Sequence, residues 1–428
     1  MKFCYKKLWK KLNNLDLSRA EFQKRANISA CSIAKFDRNE NVTNDTLIKV
    51  CIALNCDITD IMEMVDDNVD HAQDSIGIVN PSAAKSNKPV KKSQKCIQPE
   101  SFENFSKEPL SKASFIFIDL FAGIGGIRIG FEAVGGKCVF SSEWDADAAK
   151  TYEANFGERP FGDITKISPQ SIPDFDILLA GFPCQPFSII GAKEGFNHET
   201  QGTLFFNIEE ILREKKPKAF MLENVRNLTA HDKGRTFKII LAHLQKIGYN
   251  VFYQVLNALD YGVPQKRERI FIVGFKNHSV NFTFPEPLPP SMRSHIRDIL
   301  EPEEDLNPKL YVKKAIKESR LSRLKEPNFP KPYISHENVA GTITPHSFSC
   351  ALRAGASANY LLINDERRPS EREMLRIQGF PDSFKIVVPY GKIRRQTGNS
   401  VAVPVVKAVA HQMIKAMLKC GELTSGEK

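Results

Sequence analysis

No two cysteines in this chain are spaced C-x-x-C, and no window approaches the roughly 20 consecutive apolar residues that a membrane-spanning helix needs. The cysteines are odd in number and scattered, at Cys4, Cys31, Cys51, Cys56, Cys96, Cys138, Cys184, Cys350 and Cys420. That excludes a zinc ribbon and a disulfide framework, and reduced thiols are expected. The basic start, MKFCYKKLWKKLNNLDLSRAEF, has neither a continuous apolar run nor a small-residue cleavage site. A secretory signal is therefore not expected, and the cytoplasm is. Internal repeats are absent, so solenoids are excluded. Neither sign of charge dominates: 60 Lys+Arg against 50 Asp+Glu leave +10 over 428 residues, which permits a polyanionic partner and points to one only weakly. What is present, 42% hydrophobic and 26% charged residues, is a globular composition at a length that suggests two or three domains.

Residues 1–66 read as a helical domain, with Ser18, Ser29 and Asn44 as N-cap candidates. Leu17, Phe22, Ala26, Ile28, Ile33, Phe36, Leu47, Val50 and Leu54 return at helical spacing and can close one small core. Over about 50 residues this pattern resembles the Cro/repressor-type helix-turn-helix family. The resemblance makes Ser18–Ala26 the first helix of the motif and Ser29–Arg38 the helix that enters the major groove. Residues 67–113 are acidic at first and then rich in Lys, Ser and Pro, the composition of a flexible linker.

From Ser114 the texture alternates between strand and helix: FIFIDLF, KCVFSSE, DILLAGF, AFMLENV, VFYQVLN and RIFIVGF are apolar β-rich runs separated by helical patterns. That is a doubly wound α/β domain with a mainly parallel sheet, expected over 114–285. FPEPLPP breaks the pattern, and the irregular, basic 286–391 reads as a second, smaller domain. Residues 392–428 return as a loop, QTGNS, followed by a long helix that packs back on the sheet.

The first strand runs into FAGIGG, so Gly123, Gly125 and Gly126 fall at a strand-to-helix turn where a ligand can approach the backbone. The second strand ends in Glu143, placed to accept hydrogen bonds from ribose hydroxyls, beside Trp144, a flat face for an adenine ring. GDI puts Asp163 at the expected end of a third strand. A nucleotide and S-adenosylmethionine both satisfy these residues.

In GFPCQPFS, Cys184 lies between prolines on a rigid loop at the carboxyl edge of the sheet, where open α/β sheets place their chemistry. A loop cysteine of this kind can act through its thiolate. Glu223, at the end of AFMLENV, offers a general acid. Gln265, Arg267 and Arg269 in QKRER supply a cationic clamp, the two arginines extending to one side of a strand-like segment.

The ordered set IDLFAGIGG, SSEWD, GDI, GFPCQPFS, GTLFF, LENV, QKRER, RRPSEREMLRIQGFPDSF and QTGNSV resembles the DNA (cytosine-5)-methyltransferases from Phe115 to about Leu418. The resemblance implies a Rossmann-like sheet that binds S-adenosyl-L-methionine, with no metal, and double-stranded DNA as substrate. It makes Cys184 the nucleophile at cytosine C6, Glu223 the proton donor at N3, Arg269 the ligand of O2, and Arg267 the holder of the active-site loop or a phosphate. Phe121 and Trp144 would sandwich the adenine, Asp163 and Ile164 its edge, and Glu143 the ribose. Gly123, Gly125, Leu204, Asn399 and Ser400 complete that pocket, while Pro183 shapes the Cys184 loop and Ser188–Phe196 closes over the flipped base. Two positions depart from the family pattern: Ile190 stands where some relatives have a small polar residue, and Ser370 where threonine is usual.

The resemblance also implies a place in a restriction-modification system, a target-recognition region over 286–391 with Arg353, His346 and Ser347 as candidate base contacts, and catalysis as a monomer. The helix-turn-helix resembles a regulatory extension that could bind its own operator and dimerise. A zinc deaminase would need a second cysteine three positions after Cys184, and amino-methyltransferases a D/N/S-P-P-aromatic loop; neither is present. A DNA-binding regulator with a degenerate enzyme domain, and an RNA methyltransferase, are the remaining alternatives.

Overall fold

The computed structural model describes residues 114–183 and 204–424, apart from Val339, and residues 2–65 with gaps. The expected linker 67–113, the loop Ser188–Phe196 with Ile190, and most of the expected recognition helix Ser29–Arg38 lie outside the described residues. The chain divides into an N-terminal and a C-terminal unit.

In the N-terminal unit, α1 (Lys6–Asn14), α2 (Arg19–Ala26) and α3 (Asn44–Leu54) accompany an antiparallel pair, β1 (Lys2–Cys4) with β2 (Glu63–Val65). All nine apolar residues anticipated from spacing lie in one cluster, to which Tyr5, Leu8, Leu12 and Ile61 are added. Ser18 begins α2 with a reciprocal cap: its amide donates to Glu21 Oε2 at 3.0 Å and its Oγ accepts from the Glu21 amide at 3.3 Å.

The C-terminal unit is built on six strands: β3 (Phe115–Leu120), β4 (Gly136–Ser142), β5 (Ile177–Gly181), β6 (Ala219–Val225), β7 (Asn250–Asn257) and β9 (Glu268–Phe275), in the order β4-β3-β5-β6-β9-β7. These are the six apolar runs seen in the sequence. Strands β3 to β6 are parallel, but β9 is antiparallel to both β6 and β7, so the sheet is mixed. The connection from β7 to β9 holds no crossover helix, and without one the returning strand must run antiparallel.

Alternation within the strands serves both faces. Phe117, Leu179, Met221 and Val273 meet α4 (Gly126–Glu132) and α11 (Val403–Lys419) on one side. Ile118, Leu178, Phe220 and Ile272 meet α6 (Leu204–Lys215) and α7 (Arg235–Lys246) on the other. Helix α5 (Ala146–Phe156) follows β4 and is capped by Asp145, which accepts from the amides of Asp147 and Ala148.

Two expectations are corrected. Asp163 does not end a strand: it caps the 3-10 turn Ile164–Lys166, because its carboxylate accepts from the Thr165 amide at 3.1 Å and hydroxyl at 2.8 Å and so competes with strand pairing. QTGN is not a loop but the last turn of α10 (Tyr390–Asn399), where Ile393, Gln396 and Thr397 form a buried face and Thr397 Oγ1 donates back to Ile393 O at 2.9 Å. The stretch Tyr390–Lys419, long and apolar enough by composition to cross a membrane, is interrupted between α10 and α11, and 72% of its most apolar window is buried in the protein.

Between β9 and α10 a small antiparallel sheet forms in the order β11-β10-β13, from β10 (Ile334–Glu337), β11 (Ile343–His346) and β13 (Leu361–Ile363). Its anchor is Arg320 on α8 (Lys314–Leu321), fully buried, which donates to Asp365 at 2.8 Å, Ser335 Oγ at 2.7 Å, Glu337 at 3.0 Å and the Asn359 carbonyl at 2.9 Å. The two-residue strands β8 (Gln265–Lys266) and β12 (Ser349–Cys350) pair in parallel as a separate sheet, and β8 leads directly into β9. Ser370, the departure from threonine, makes a full capping box with Glu373 at the start of α9 (Glu371–Ile377), so the smaller residue keeps the hydroxyl function.

Candidate active site

The carboxyl ends of β3 and β4 form an open cradle. Phe121 and Gly123 turn the chain with φ of 57° and 56°, and Gly125, at φ 84°, caps α4. A Cβ placed on Gly123 would meet nothing within 4 Å, so free space lies over the turn. Glu143 closes one side: its Oε2 accepts from the Gly123 amide and its Oε1 from the Asp145 amide, both at 2.8 Å. Each oxygen keeps lone-pair capacity for a further donor. Burial raises the Glu143 carboxyl, opposed by those amide hydrogen bonds.

Trp144 is 79% exposed, and Phe161, whose carbonyl accepts from the adjacent Glu143 amide at 2.8 Å, is 59% exposed with its ring stacked 4.8 Å from Phe140. The Asp163 carboxyl is held below the usual range by its Thr165 hydrogen bonds; Oδ1 takes both, and Oδ2 faces the exposed Lys166 Nζ at 3.9 Å. Ile164 and Phe121 pack toward the α6 side of the core, and half-buried Leu204 opens α6. Ser400 reaches the turn from the C-terminal segment: a Cβ on Gly126 would come 2.9 Å from its Oγ. Asn399 beside it is exposed. An open floor, a carboxylate with spare lone pairs, a half-exposed acid and an uncovered indole fit S-adenosylmethionine, whose adenosine needs a flat face, an edge acceptor and a partner for its diol.

The edge formed by the carboxyl ends of β5 and β6 and the amino end of the antiparallel β9 is closed instead. Glu223 is 8% exposed, paired at 3.0 Å with Arg269 Nε, and its neighbour across the strands is Gly181. Burial raises its carboxyl above the ordinary glutamate range against the pull of Arg269 and Arg267. A carboxyl so placed keeps its proton to higher pH than an ordinary glutamate and is suited to general-acid work. Asn224 donates to the Phe182 carbonyl at 2.8 Å, holding the chain two residues before Cys184. Pro183 is exposed at the end of the described segment. Cys184 itself lies outside the described residues. Burial pushes the thiols of Cys138 and Cys350 up to about 12, so neither forms a thiolate at neutral pH.

Arg267, 2% exposed, is spent on backbone: it donates to the carbonyls of Leu352 at 3.0 Å, Gly398 at 3.1 Å and Ser400 at 2.5 Å. Burial lowers it to about 9. Gln265 beside it donates to Ile377 O and Gln378 Oε1, each at 3.0 Å, and accepts from the Leu352 amide at 3.0 Å. Gln378 in turn donates to Thr397 O at 2.5 Å. Three segments far apart in sequence are thereby tied at one point.

Sequence reasoning missed Asn224 and Gln378, whose roles depend on which carbonyls the fold brings near. It also missed Asp119, fully buried in β3 with both carboxyl oxygens unpartnered among the described residues and pushed up to about 8 by burial. Its signal was available: a lone acid inside the apolar run FIFIDL.

A doubly wound sheet with a glycine turn after its first strand and a ribose-type acid after its second defines a class, the Rossmann-like proteins that bind an adenosine cofactor. The C-5 cytosine-specific DNA methylase family matches residues 115–415, and the Cro/C1-type helix-turn-helix DNA-binding domain matches 7–67. The Type II methyltransferase M.NgoBI of Neisseria gonorrhoeae is 57% identical over 291 residues, 68% of this chain and 90% of that one. M.HaeII of Haemophilus aegyptius is 55% identical over 300 residues, 70% of this chain and 93% of that one. In fold, the S. pombe Dnmt2 methyltransferase aligns with a TM-score of 0.55 at 18% identity, covering 72% of this chain and 99% of its own. The chain belongs to the C-5 cytosine-specific DNA methylase family: it is a DNA (cytosine-5)-methyltransferase with S-adenosylmethionine as methyl donor and DNA as partner.

Proposed function

We propose that this methyltransferase acts through a transient covalent bond between Cys184 and a cytosine turned out of the duplex. Flipping costs a few kcal/mol, and the loop Ser188–Phe196 closes over the extruded base. The Cys184 thiolate adds to C6, and the electron pair of the C5–C6 bond moves into the ring. Glu223 gives its proton to N3, Arg269 binds O2, and C5 becomes enamine-like and nucleophilic. S-adenosylmethionine, when bound, supplies the methyl group that C5 receives. Loss of the C5 proton to a base then expels the thiolate and restores the ring. Phe121, Trp144, Glu143, Asp163, Ile164, Leu204, Asn399 and Ser400 hold the cofactor around the turn at Gly123 and Gly125. Arg267 secures the target-recognition region and the C-terminal segment rather than the active-site loop or a phosphate.

The observation that carries this reading is Glu223: a buried, proton-retaining carboxyl paired to Arg269, on the strand beside the one that leads into Cys184. Bisulfite sequencing of DNA from cells expressing the protein identifies the target cytosine. A duplex with 5-fluorocytosine at that position should then leave a denaturation-resistant adduct that maps to Cys184. Failure to crosslink with cofactor present overturns the mechanism.

The relatives named as Type II methyltransferases favour a role in protecting host DNA within a restriction-modification system, in the cytoplasm. Residues 286–391 read the target sequence, between catalytic segments 114–285 and 392–428, and the enzyme methylates as a monomer. Residues 1–66, tethered by 67–113, bind a separate operator near the protein's own gene, with dimerisation through that domain. Removing residues 1–70 should spare methylation and abolish operator binding; loss of both together counts against separate roles.

A further inference from the structure

The small sheet has two unlike faces. On one, Ser335 and Glu337 engage Arg320. On the other, the register sets His336 opposite Thr344 and Leu361, and Ile334 opposite His346 and Ile363. On this second face Ile334, Leu361 and Ile363 are buried in the core, and half-buried His336, Thr344 and His346 form its margin: His336 meets the Tyr360 ring edge-on at 6.3 Å, and His346 stacks on Phe348 at 5.1 Å. Burial, then Arg353 and His346, hold His336 below its usual range, so the ring beside Arg353 is neutral.

Arg353 stands out on this surface. It is exposed, its guanidinium lies 4.9 Å from the Tyr360 ring centroid, and it has no acidic partner among the described residues. Its backbone is fixed from three directions. The Leu352 carbonyl accepts from Arg267 at 3.0 Å while the Leu352 amide donates to Gln265 at 3.0 Å. The Arg353 amide donates to Tyr360 Oη at 2.9 Å. Gly398 packs so closely that a Cβ there would sit 2.7 Å from the Arg353 carbonyl carbon, so only glycine fits. The side chain thus springs from a point welded both to the arginine clamp of the base side and to the segment that leads into the cofactor cradle.

A phosphate can be held by a mobile lysine acting as a point charge as well as by an arginine fork. Fixing the plane of a guanidinium on a tyrosine ring, on an immobilised backbone, serves a partner that two parallel N–H groups must meet together. In DNA two groups offer such a pair of acceptors, a phosphate and the O6/N7 edge of guanine in the major groove, and only the second carries sequence. We propose that Arg353 is the side chain that reads a guanine of the target sequence, at a fixed distance from the methylated cytosine. This rests on the reading that 286–391 recognises the target.

The test uses the full chain and a pool of duplexes randomised around the target cytosine, sequenced after bisulfite treatment. Arg353→Ala should slow methylation of the preferred site about tenfold to a hundredfold, and accept other bases at one former guanine while every other position stays selective. Arg353→Lys should keep the charge and lose most of that discrimination. A loss spread evenly over all sequences, with a salt dependence reduced by about one charge and rescue by lysine, would mean a phosphate contact and overturn the proposal. So would an unchanged motif in either variant. Calorimetric titration with S-adenosylmethionine confirms that each variant is folded; if Arg353→Ala fails it, Arg353→Lys decides. A wild-type enzyme that methylates none of the pool counts against the enzymatic reading itself, not against Arg353.

Discussion

The two halves of the active edge are built on opposite principles. At the ends of β5, β6 and β9 the charges are buried and already committed: Glu223 to Arg269, and Arg267 to three carbonyls. At the ends of β3 and β4 the groups are open, with Trp144 uncovered, Glu143 tethered by amides and Asp163 held by its own turn and the exposed Lys166. The difference follows from what each half does. Pushing a proton toward a ring nitrogen requires a low-dielectric pocket in which a carboxyl stays protonated, and its donors must be in place before the base arrives. A cofactor that exchanges after every turnover needs a cradle it can enter and leave.

The sharpest way to break this contrast is Glu223→Gln. If the closed half exists to hold that proton, kcat should fall about 10²- to 10⁴-fold with cofactor binding unchanged. Because the Glu223 carboxyl is raised, the wild-type enzyme should keep its rate past the pH at which an ordinary glutamate ionises and lose it as pH climbs through the raised value. A pH–rate profile without that basic limb would sink the assignment. Arg267→Ala strands three buried carbonyls and should cost about 3–5 kcal/mol in urea unfolding. Arg267→Lys should rescue little, since one ammonium cannot reproduce the fork.

Asp119 sharpens the comparison from beneath the open half. Its carboxyl, pushed up to about 8, binds a proton in the folded state that the unfolded chain has already released, so stability falls as pH rises from the ordinary carboxylate range toward 8 and levels off above it. Asp119→Asn cannot ionise and should gain on the wild type by at most about 1.4 kcal/mol per pH unit across that window, read as the pH dependence of the melting temperature. The smallest effect belongs to Trp144→Ala. Exposed as the indole is, stability should stay within about 0.5 kcal/mol, while cofactor affinity drops about fivefold for the lost stack. A large loss of stability there would show that the open half is not open.

Much of this was legible because strands of a sheet covered on both faces read as apolar runs, and all six were visible, the half-exposed edge strand β7 included. So was the motif core of the helix-turn-helix, since nine apolar residues at helical spacing have one way to be buried together. The failures have local causes. GDI looked like a strand end until the Asp163 carboxylate was seen to bond within its own turn. QTGN looked like a loop because glycine and asparagine are poor helix formers, yet the buried face of Ile393 and Thr397 carries the helix through them. The antiparallel turn of β9 left no mark in a pattern that reports burial and not direction.

What the linear order determined is the list of reacting groups: the acids, arginines and glycines sit in short runs because each run ends at the same edge of one sheet. Which of those groups are spent and which are free was decided only when the chain closed. Arg267 and Arg269 are two residues apart and alike in chemistry, but one meets carbonyls of Leu352, Gly398 and Ser400 and the other a carboxyl from β6. Hydrogen bonds are satisfied by whatever folding brings within about 3 Å, and no spacing rule reaches across 131 residues.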